Sequence, residues 1–584
     1  MMRSRDKSLP LLLLIAFAMG LAMPMLKAQP QPNKRGISAS TTGRVIAELK
    51  NVNTYGELNT RYCAATANLL TRQDRYTMAS FEANALGEPG ALWWEWPADQ
   101  FGRWLSVLHV ADGTGWTTAQ RSRADVLNVV LPLQRARGHF GTDPAKDTDN
   151  RVPSGNAFGL RGLLDAYEDT GDERALQAAR KMVRFFEQNF DHYGKGTYID
   201  EYYAHCLDGL VKLYSVDRTS QVLDLAQRIA DRMGIHKHTH HALSAYRGMI
   251  ELYDLTGNET YLVRTREYLD YIGQSRIVSG GIPELLPFTG ADPGSQDEGC
   301  ALADYVIVNL MMFARTGEDH FLETADNTLI NHFFMNQFHT GGFGHRRYRR
   351  DAIGDKVFQG WDGQFGSENP GCCSMWGQWA LGQVCQYAIT QSGDNLEVNL
   401  YADVEVTMPE EGITLNISGD FPRQRESKIT LYSKQPREFA IRLRVPDWAD
   451  DAHVRVNGKA AGSERQGTRI TLSRIWASGD EIDVRFASSM RLVAGSGTSS
   501  DSVAVYDGPQ CLGIVCDGLA ADEEFAVAVD KAGDLVLGDD GQPVVFAKGK
   551  PVDVRFMPIG DEWLHPDARN PNRIKVLFPI HTTE

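Results

Sequence analysis

The spacing of apolar positions changes once along the chain. Between residues 150 and 335 they recur every three or four positions, the spacing of amphipathic helices. A loose repeat runs through this stretch. Gly162-Leu163-Leu164-Asp165-Ala166-Tyr167 leads to Thr170-Gly171-Asp172, and Gly248-Met249-Ile250-Glu251-Leu252-Tyr253 leads to Thr256-Gly257-Asn258. Leu310-Met311-Met312-Phe313 leads to Thr316-Gly317-Glu318, and a weaker copy, Gly209 to Tyr214, lacks the Thr-Gly. Each unit predicts an apolar helix, a turn closed by a left-handed Gly, and a second helix such as 175–187 or 261–271. Repeated helical hairpins build a solenoid or a closed α/α toroid. The long irregular insertions between pairs favour the toroid, with 56–135 and 370–392 supplying its remaining helices.

Near Gln391 the period drops to two. Residues 396–408, 428–432, 439–445, 453–457, 469–473 and 481–486 alternate, with turns at Val456-Asn457-Gly458 and Ser478-Gly479-Asp480. This pattern predicts a β-sandwich. Alternation continues less regularly at 502–506, 525–529 and 552–558, which predicts a second small β-domain. The chain therefore divides into a helical domain at 29–392, a β-sandwich at 393–492 and a β-domain at 493–584, a multidomain α plus β class. Residues 1–28 read as a secretory signal. Arg3, Arg5 and Lys7 precede an apolar run, Leu11 to Leu26, that is short for a spanning helix. A secreted or periplasmic location without a stable membrane anchor is expected.

Composition narrows the function. A length of 584 residues exceeds one ordinary core. The net charge of −15 comes without a basic tract, which excludes a nucleic-acid partner. There are 20 Tyr, 24 Phe and 11 Trp, which offer stacking faces for sugar rings or core packing. Neither a Gly-rich phosphate loop nor a Ser-centred elbow is present.

The eight Cys would suggest disulfides in an exported protein, but their placement does not. Cys63, Cys206 and Cys385 fall in helix-patterned segments and read as buried free thiols. Cys511 and Cys516 share an apolar strand-like stretch and could pair. Cys372-Cys373 could form only a strained disulfide, yet both can turn toward one soft metal ion. Glu298-Gly299-Cys300 stands at the entry of a predicted helix 301–315, and Cys372-Cys373 precedes a predicted helix 376–390. Three thiolates and a carboxylate match zinc in ligand type and number. A helix N-terminus and a metal both lower a thiol pKa. The competing roles are a purely structural zinc site or plain core Cys.

Glu-x-Cys followed by Cys-Cys before a helix resembles glycoside hydrolase family 127, the β-L-arabinofuranosidase group. The likeness extends to the Thr-Gly hairpins, Ala325 to Asn331, Leu396 to Ala402, Phe439 to Trp448, Arg455 to Gly458 and Val503 to Pro509. The resemblance implies an (α/α)6 toroid followed by β-sandwich domains. It implies zinc held by Glu298, Cys300, Cys372 and Cys373, with Cys372 as nucleophile. Attack by a metal-held thiolate on an anomeric carbon gives a glycosyl-cysteine that water releases with net retention. The acid/base implied is a Glu in the loop after Gly280-Gly281. Glu284 is assigned this role ahead of Asp292 and Asp297, and its rival role is a loop-capping carboxylate.

The resemblance implies a sugar contact at His238 or His241 and places Trp93-Trp94-Glu95-Trp96, with Trp94, on the cleft side. From the residues themselves, Glu201 with His205 at a helix start and Trp361 between Gly360 and Asp362 could contact sugar, and the spacing of the four His would also allow a second metal site. Their rival roles are solvated loop or capping residues for His236, His238, His240, His241, Glu201 and His205, core packing for the Trp cluster and a loop anchor for Trp361. Two departures bear on the substrate. Ser374-Met375-Trp376-Gly377 replaces the Pro-Pro and Asn that follow the doublet in the family, and Phe158 stands near a family His. The expected function is a secreted hydrolase of a furanosidic sugar such as β-L-arabinofuranose, acting on an oligo- or polysaccharide. The alternatives are a non-catalytic carbohydrate-binding relative with a structural zinc, or another α/α-toroid polysaccharide-degrading enzyme.

Overall fold

Two helix compositions alternate along the first part of the chain and sort into two layers. A computed structural model describes residues 43–72, 75–115, 123–142, 151–193, 204–286, 296–348, 352–355, 368–461, 464–495, 501–515, 524–564 and 574–583. One set of helices is buried on nearly every face: α3 (Asp99–Gly113), α5 (Arg151–Thr170), α7 (Cys206–Asp217), α9 (Thr239–Thr256), α11 (Gly299–Thr316) and α13 (Cys373–Val384). Each packs on the next, and α13 packs back on α3, so the six close into a ring. The other set is amphipathic and lies outside: α1 (Gly56–Thr71), α2 (Met78–Leu86), α4 (Arg123–Val130), α6 (Glu173–Tyr193), α8 (Ser220–Arg232), α10 (Thr260–Gly273) and α12 (Asp319–Asn327). In α8, for example, Val222, Leu225, Ala226, Ile229 and Ala230 form the one buried stripe, at helical spacing. The domain is an α/α toroid.

The Thr-Gly repeats are the joints between layers. Gly171, Gly257 and Gly317 have φ of +68°, +70° and +77°, and their N–H groups donate to carbonyls four residues back. Each preceding Thr hydroxyl donates to the carbonyl four residues earlier and accepts from the N–H two residues on, as Thr170 does with Ala166 and Asp172. The copy without Thr-Gly turns in the same way, with Arg218 taking the left-handed position at φ +57°.

Among the described residues the β-region has two seven-stranded sheets, one of six strands and one of four; strand Val45–Ile46 of the six-stranded sheet and Val52–Thr54 of a seven-stranded one come from ahead of α1. The stretch 396–408, expected as one strand, forms two. Asn395–Val398 joins the six-stranded sheet and Val404–Met408 a seven-stranded one, the chain crossing between layers in between. Likewise 552–558 splits into Lys550–Val552 and Phe556–Pro558 in different sheets. Buried residues of the toroid, of the six-stranded sheet and of the seven-stranded sheet that holds Val404–Met408 form one continuous core.

The other seven-stranded sheet reaches back to the toroid. Its strands Arg346–Tyr348 and Ala352–Asp355 come from the loop after α12, and Ala352–Asp355 pairs with Ile574–Lys575. Asn331 binds the same sheet, donating to Pro509 O at 3.0 Å and accepting from Cys511 N–H at 2.7 Å. Cys511 is a buried free thiol, and Cys516 lies outside the described residues. Among the described residues no helix is long and apolar enough to cross a membrane.

The closest helix crossing in the ring is α3 on α5. A Cβ added at Gly102 would lie 2.3 Å from the Phe158 carbonyl oxygen, and one at Gly162 would lie 2.2 Å from the Gly102 oxygen. Backbone meets backbone here, so no side chain can yield. Gly102→Ala is therefore expected to lower stability by about 1–3 kcal/mol. Urea unfolding checks this, and an unchanged midpoint would refute the contact.

Candidate active site and metal centre

At one end of the ring, α11 and α13 begin side by side. Both helices start earlier than their hydrophobic pattern alone suggests, at Gly299 and Cys373, because the first turns are stabilised by contacts outside the helix. Glu298 and Cys372 are thus N-cap residues, while Cys300 and Cys373 lie in the first turns. The donor atoms of Glu298, Cys300, Cys372 and Cys373 all lie within 4.8 Å of one another, and all four residues are buried. Cys372 Sγ stands 3.7 Å from Cys373 Sγ and 4.0 Å from Glu298 Oε1.

Loops on either side hold the four in place. Gly299 N–H donates to Gly344 O at 2.7 Å and Asp297 N–H to Arg346 O at 2.9 Å. The Asp297 carboxylate accepts from His332 Nε2 at 2.8 Å, from Asn336 Nδ2 at 3.0 Å and from Arg346 N–H. Fully buried and fully engaged, Asp297 is a structural anchor rather than an acid/base. Asn369 does the same for the doublet. Its Oδ1 accepts from Gly371 N–H at 3.0 Å, and its Nδ2 donates to Cys372 Sγ at 3.3 Å. Ser374 Oγ accepts from Phe343 N–H at 3.1 Å and donates to Phe343 O at 3.2 Å, tying α13 to the same loop.

The electrostatics are those of too many acids in one dry place. Hydrogen bonds from Cys300 and Cys373 hold the Cys372 thiol well below its ordinary range, against the opposing effect of burial. Burial pushes Cys300, Cys373 and Glu298 well up, and the charge on Cys372 adds to the shift in each. The cluster by itself thus favours charge on Cys372 over charge on its three neighbours. A divalent cation reverses this balance, because it deprotonates coordinating thiols. The residues present fit such an ion. With zinc–sulfur bonds of about 2.3 Å, a tetrahedral S–S edge is roughly 3.8 Å, close to the Cys372–Cys373 separation. Among the described residues, the buried Glu298 Oε2 has no hydrogen-bond partner. The cluster could hold a metal ion.

Glu284 lies alongside. It pairs with its own loop, its N–H donating to Gln296 O at 2.8 Å and its carboxylate accepting from Gln296 Nε2. His238 Nε2 lies 3.6 Å from Glu284 Oε1 and 4.0 Å from Glu298 Oε2, and His345 Nε2 lies 3.9 Å from Glu284 Oε2. Burial raises the Glu284 pKa, but hydrogen bonding to His238 and the charges of His345 and His238 outweigh it and hold the carboxyl below its usual range.

The His residues expected as solvated loop groups are all buried, because the chain before α9 turns into the ring. His238 stacks on His241 at 3.7 Å, and His241 meets His205 edge-on at 4.2 Å. His240 Nδ1–H donates to Asp304 Oδ2 at 2.7 Å, and Asp304 also accepts from Ser244 Oγ at 2.8 Å and Trp376 Nε1 at 2.9 Å. Trp376 is thus held where it follows the Cys doublet. Trp94 is 37% exposed, whereas Trp93 packs over Gly371, so the Trp cluster divides between surface and site wall. Glu201 and Trp361 lie outside the described residues. His345, Gln296, Asn369 and Arg103 were not singled out in the sequence. Only Asn369, next to the doublet, carried a signal that could have found it.

The buried histidines make stability depend on pH. Burial holds His205 and His241 well below the ordinary value, and burial also pushes His240 down to about 4 despite its bond to Asp304. Below about pH 6.5 the unfolded chain binds protons that these imidazoles refuse when folded. Stability is therefore fully present above about 6.5 and falls with pH, by at most about 1.4 kcal/mol per unit for each histidine. Urea unfolding at pH 5, 6 and 7 should show this slope, and His240→Gln should reduce it. An equal slope in the variant would contradict a neutral buried His240.

Sequence comparison with curated proteins finds no match. A family model described as β-L-arabinofuranosidase, GH127 catalytic domain, matches residues 57–348, and the corresponding middle-domain model matches residues 395–488. Among solved structures, a GH127 β-arabinofuranosidase superposes with a TM-score of 0.72 at 18% identity, over 93% of this chain and 98% of that one. A GH127 β-L-arabinofuranosidase from Geobacillus stearothermophilus superposes with a TM-score of 0.69 at 16% identity, over 91% of this chain and 100% of its own. The ring of helices, the sheets behind it and the matched catalytic and middle domains agree, and the chain belongs to glycoside hydrolase family 127.

Proposed function

We propose that this glycoside hydrolase cleaves β-L-arabinofuranosides with net retention, using Cys372 as nucleophile and zinc as the resident metal. The observation that supports this best is the meeting of Cys372 with Glu298, and of Glu298 with His238 and Glu284, in one buried corner. Glu298, Cys300, Cys372 and Cys373 would hold the zinc, whose role when bound is to keep the thiols deprotonated at neutral pH.

In the first step Cys372 Sγ attacks the anomeric carbon. An S–C bond forms as the C–O bond to the leaving group breaks, and the leaving oxygen takes up a proton. Glu284 delivers that proton. Beside His238 and His345 the resting carboxyl is held below its usual range, so Glu284 takes up that proton as the substrate seats against it. In the second step water attacks the same carbon, Glu284 takes the proton, and the S–C bond breaks to return Cys372. Two inversions give retention. His238 and His241 face the sugar and Trp94 adds a further contact; Glu201 and Trp361 are assigned sugar-binding roles from the sequence alone. Residues 1–28 act as a secretion signal, placing the enzyme where plant or microbial glycans are met.

Aryl β-L-arabinofuranoside hydrolysis tests this reading. Cys372→Ala is expected to lower kcat by at least about a thousandfold, and mass spectrometry of enzyme quenched during turnover should place a pentosyl adduct on Cys372. Hydrolysis that survives in Cys372→Ala would refute the mechanism. Purified protein should contain about one zinc per chain, and Cys300→Ser should lose most of it.

A further inference from the structure

Arg103 stands in the wall of the site and is held on three sides. It is 3% exposed. Its Nε pairs with Asp99 Oδ1 at 2.8 Å, and its NH2 donates to His240 Nε2 at 3.1 Å. Asp304 holds the other side of His240, so the ring presents Nε2 as an acceptor. The guanidinium lies 3.6 Å from the Phe158 ring centroid, with Trp376 at 4.9 Å. Near Arg103 on α3, Gln100 Nε2 donates to Gly371 O at 2.7 Å, immediately before Cys372. The charge of Arg103 acts on both Cys300 and Cys372.

One donor is left over. Among the described residues, the buried NH1 of Arg103 has no hydrogen-bond partner. A guanidinium fixed at Nε and NH2 has little freedom to turn NH1 elsewhere, because its five N–H bonds share one plane. A buried donor without a partner is costly, and beside a binding site a ligand can complete it. The nature of that ligand follows from the neighbours. Asp99 already balances the charge of Arg103, and His205, His240 and His241 are held neutral. The wall therefore offers one directed donor rather than a cationic pocket, which suits an uncharged hydroxyl better than a carboxylate or phosphate.

We propose that Arg103 is a specificity-determining residue whose NH1 donates a hydrogen bond to one ring hydroxyl of the sugar seated against Cys372. This rests on the glycosidase reading above. Phe158 makes the contact possible. Its face supports the guanidinium, and its ring packs T-shaped against His205 at 5.1 Å, which fixes the ring that carries Arg103.

A deoxy scan tests the inference. Wild type is assayed on 4-nitrophenyl β-L-arabinofuranoside and on its 2-, 3- and 5-deoxy analogues. One deletion should lower kcat/KM roughly 10- to 100-fold through Arg103, as expected for a charged donor. In Arg103→Gln and Arg103→Lys that same deletion should cost less than about threefold, while the penalties at the other two positions stay as in wild type. A wild-type profile in which no hydroxyl deletion costs more than about threefold overturns the proposal, whether or not the variants fold. So does a variant profile that keeps all three wild-type penalties. Absence of wild-type turnover on every furanoside overturns the furanosidase reading and this inference together, whereas turnover with a flat profile overturns this inference alone.

Discussion

Four acidic donors share one buried corner, and like charges in a dry place repel. Water cannot screen Glu298, Cys300, Cys372 and Cys373, so either protons or a cation must balance them. The surrounding structure consists largely of devices that keep them together regardless. Two helix N-termini point into the corner, and their partial positive charge favours anions there. Asn369 donates to Cys372 Sγ, and the Arg103 charge lies nearby. Asp297 is locked by His332, Asn336 and Arg346, which fixes the neighbouring Glu298. Each group was chosen by geometry for a task that apolar packing could not perform.

The ring supplies rigidity on the opposite side. Asp304 on α11 binds His240 from α9 and Trp376 from α13, so three of the six inner helices meet at one carboxylate. Arg247 continues the ion pairing from Asp304 to Asp208 on α7. Pairs this deep contribute little net stability compared with apolar replacements, but breaking one leaves a bare charge. They hold the imidazoles in one tautomer and one orientation, which hydrophobic contact alone does not provide.

Much of this was legible in the sequence, for reasons that differ by residue. The Thr-Gly turns were readable because the left-handed joint demands Gly locally, and only at Arg218 does another residue fill it. Adjacent Cys372 and Cys373 were conspicuous because they cannot comfortably pair, and Glu298 with Cys300 because their spacing suits a helix cap. What escaped was set by contacts distant in sequence. Arg103 reads as an ordinary charge on an apolar helix, and only the ring closure brings it to His240. His345 and Gln296 lie in loops whose paths the local pattern does not specify. The run 396–408 alternates without a break, so nothing in its period reveals the change of sheet near Tyr401. The four His at the entry of α9, two before it and two in its first turn, looked like solvent residues because polarity is normally a surface signal, and here it marks the inside of the ring.

The pairing of Ala352–Asp355 with Ile574–Lys575 has a consequence for biogenesis. The loop carrying Gly344, His345 and Arg346 is part of that sheet, and the same loop anchors Asp297 and Gly299. The inner ring also closes only when α13 meets α3. Most of the helices can form as they leave the ribosome, since their contacts are with neighbours in sequence. The corner cannot. Its four ligands stay apart until the doublet has been made, and their supporting loop stays unpaired until residues 574–575 follow. A metal ion that this corner could hold is therefore captured only at the end of synthesis, and until then the thiols are exposed to whatever oxidant or metal the compartment holds.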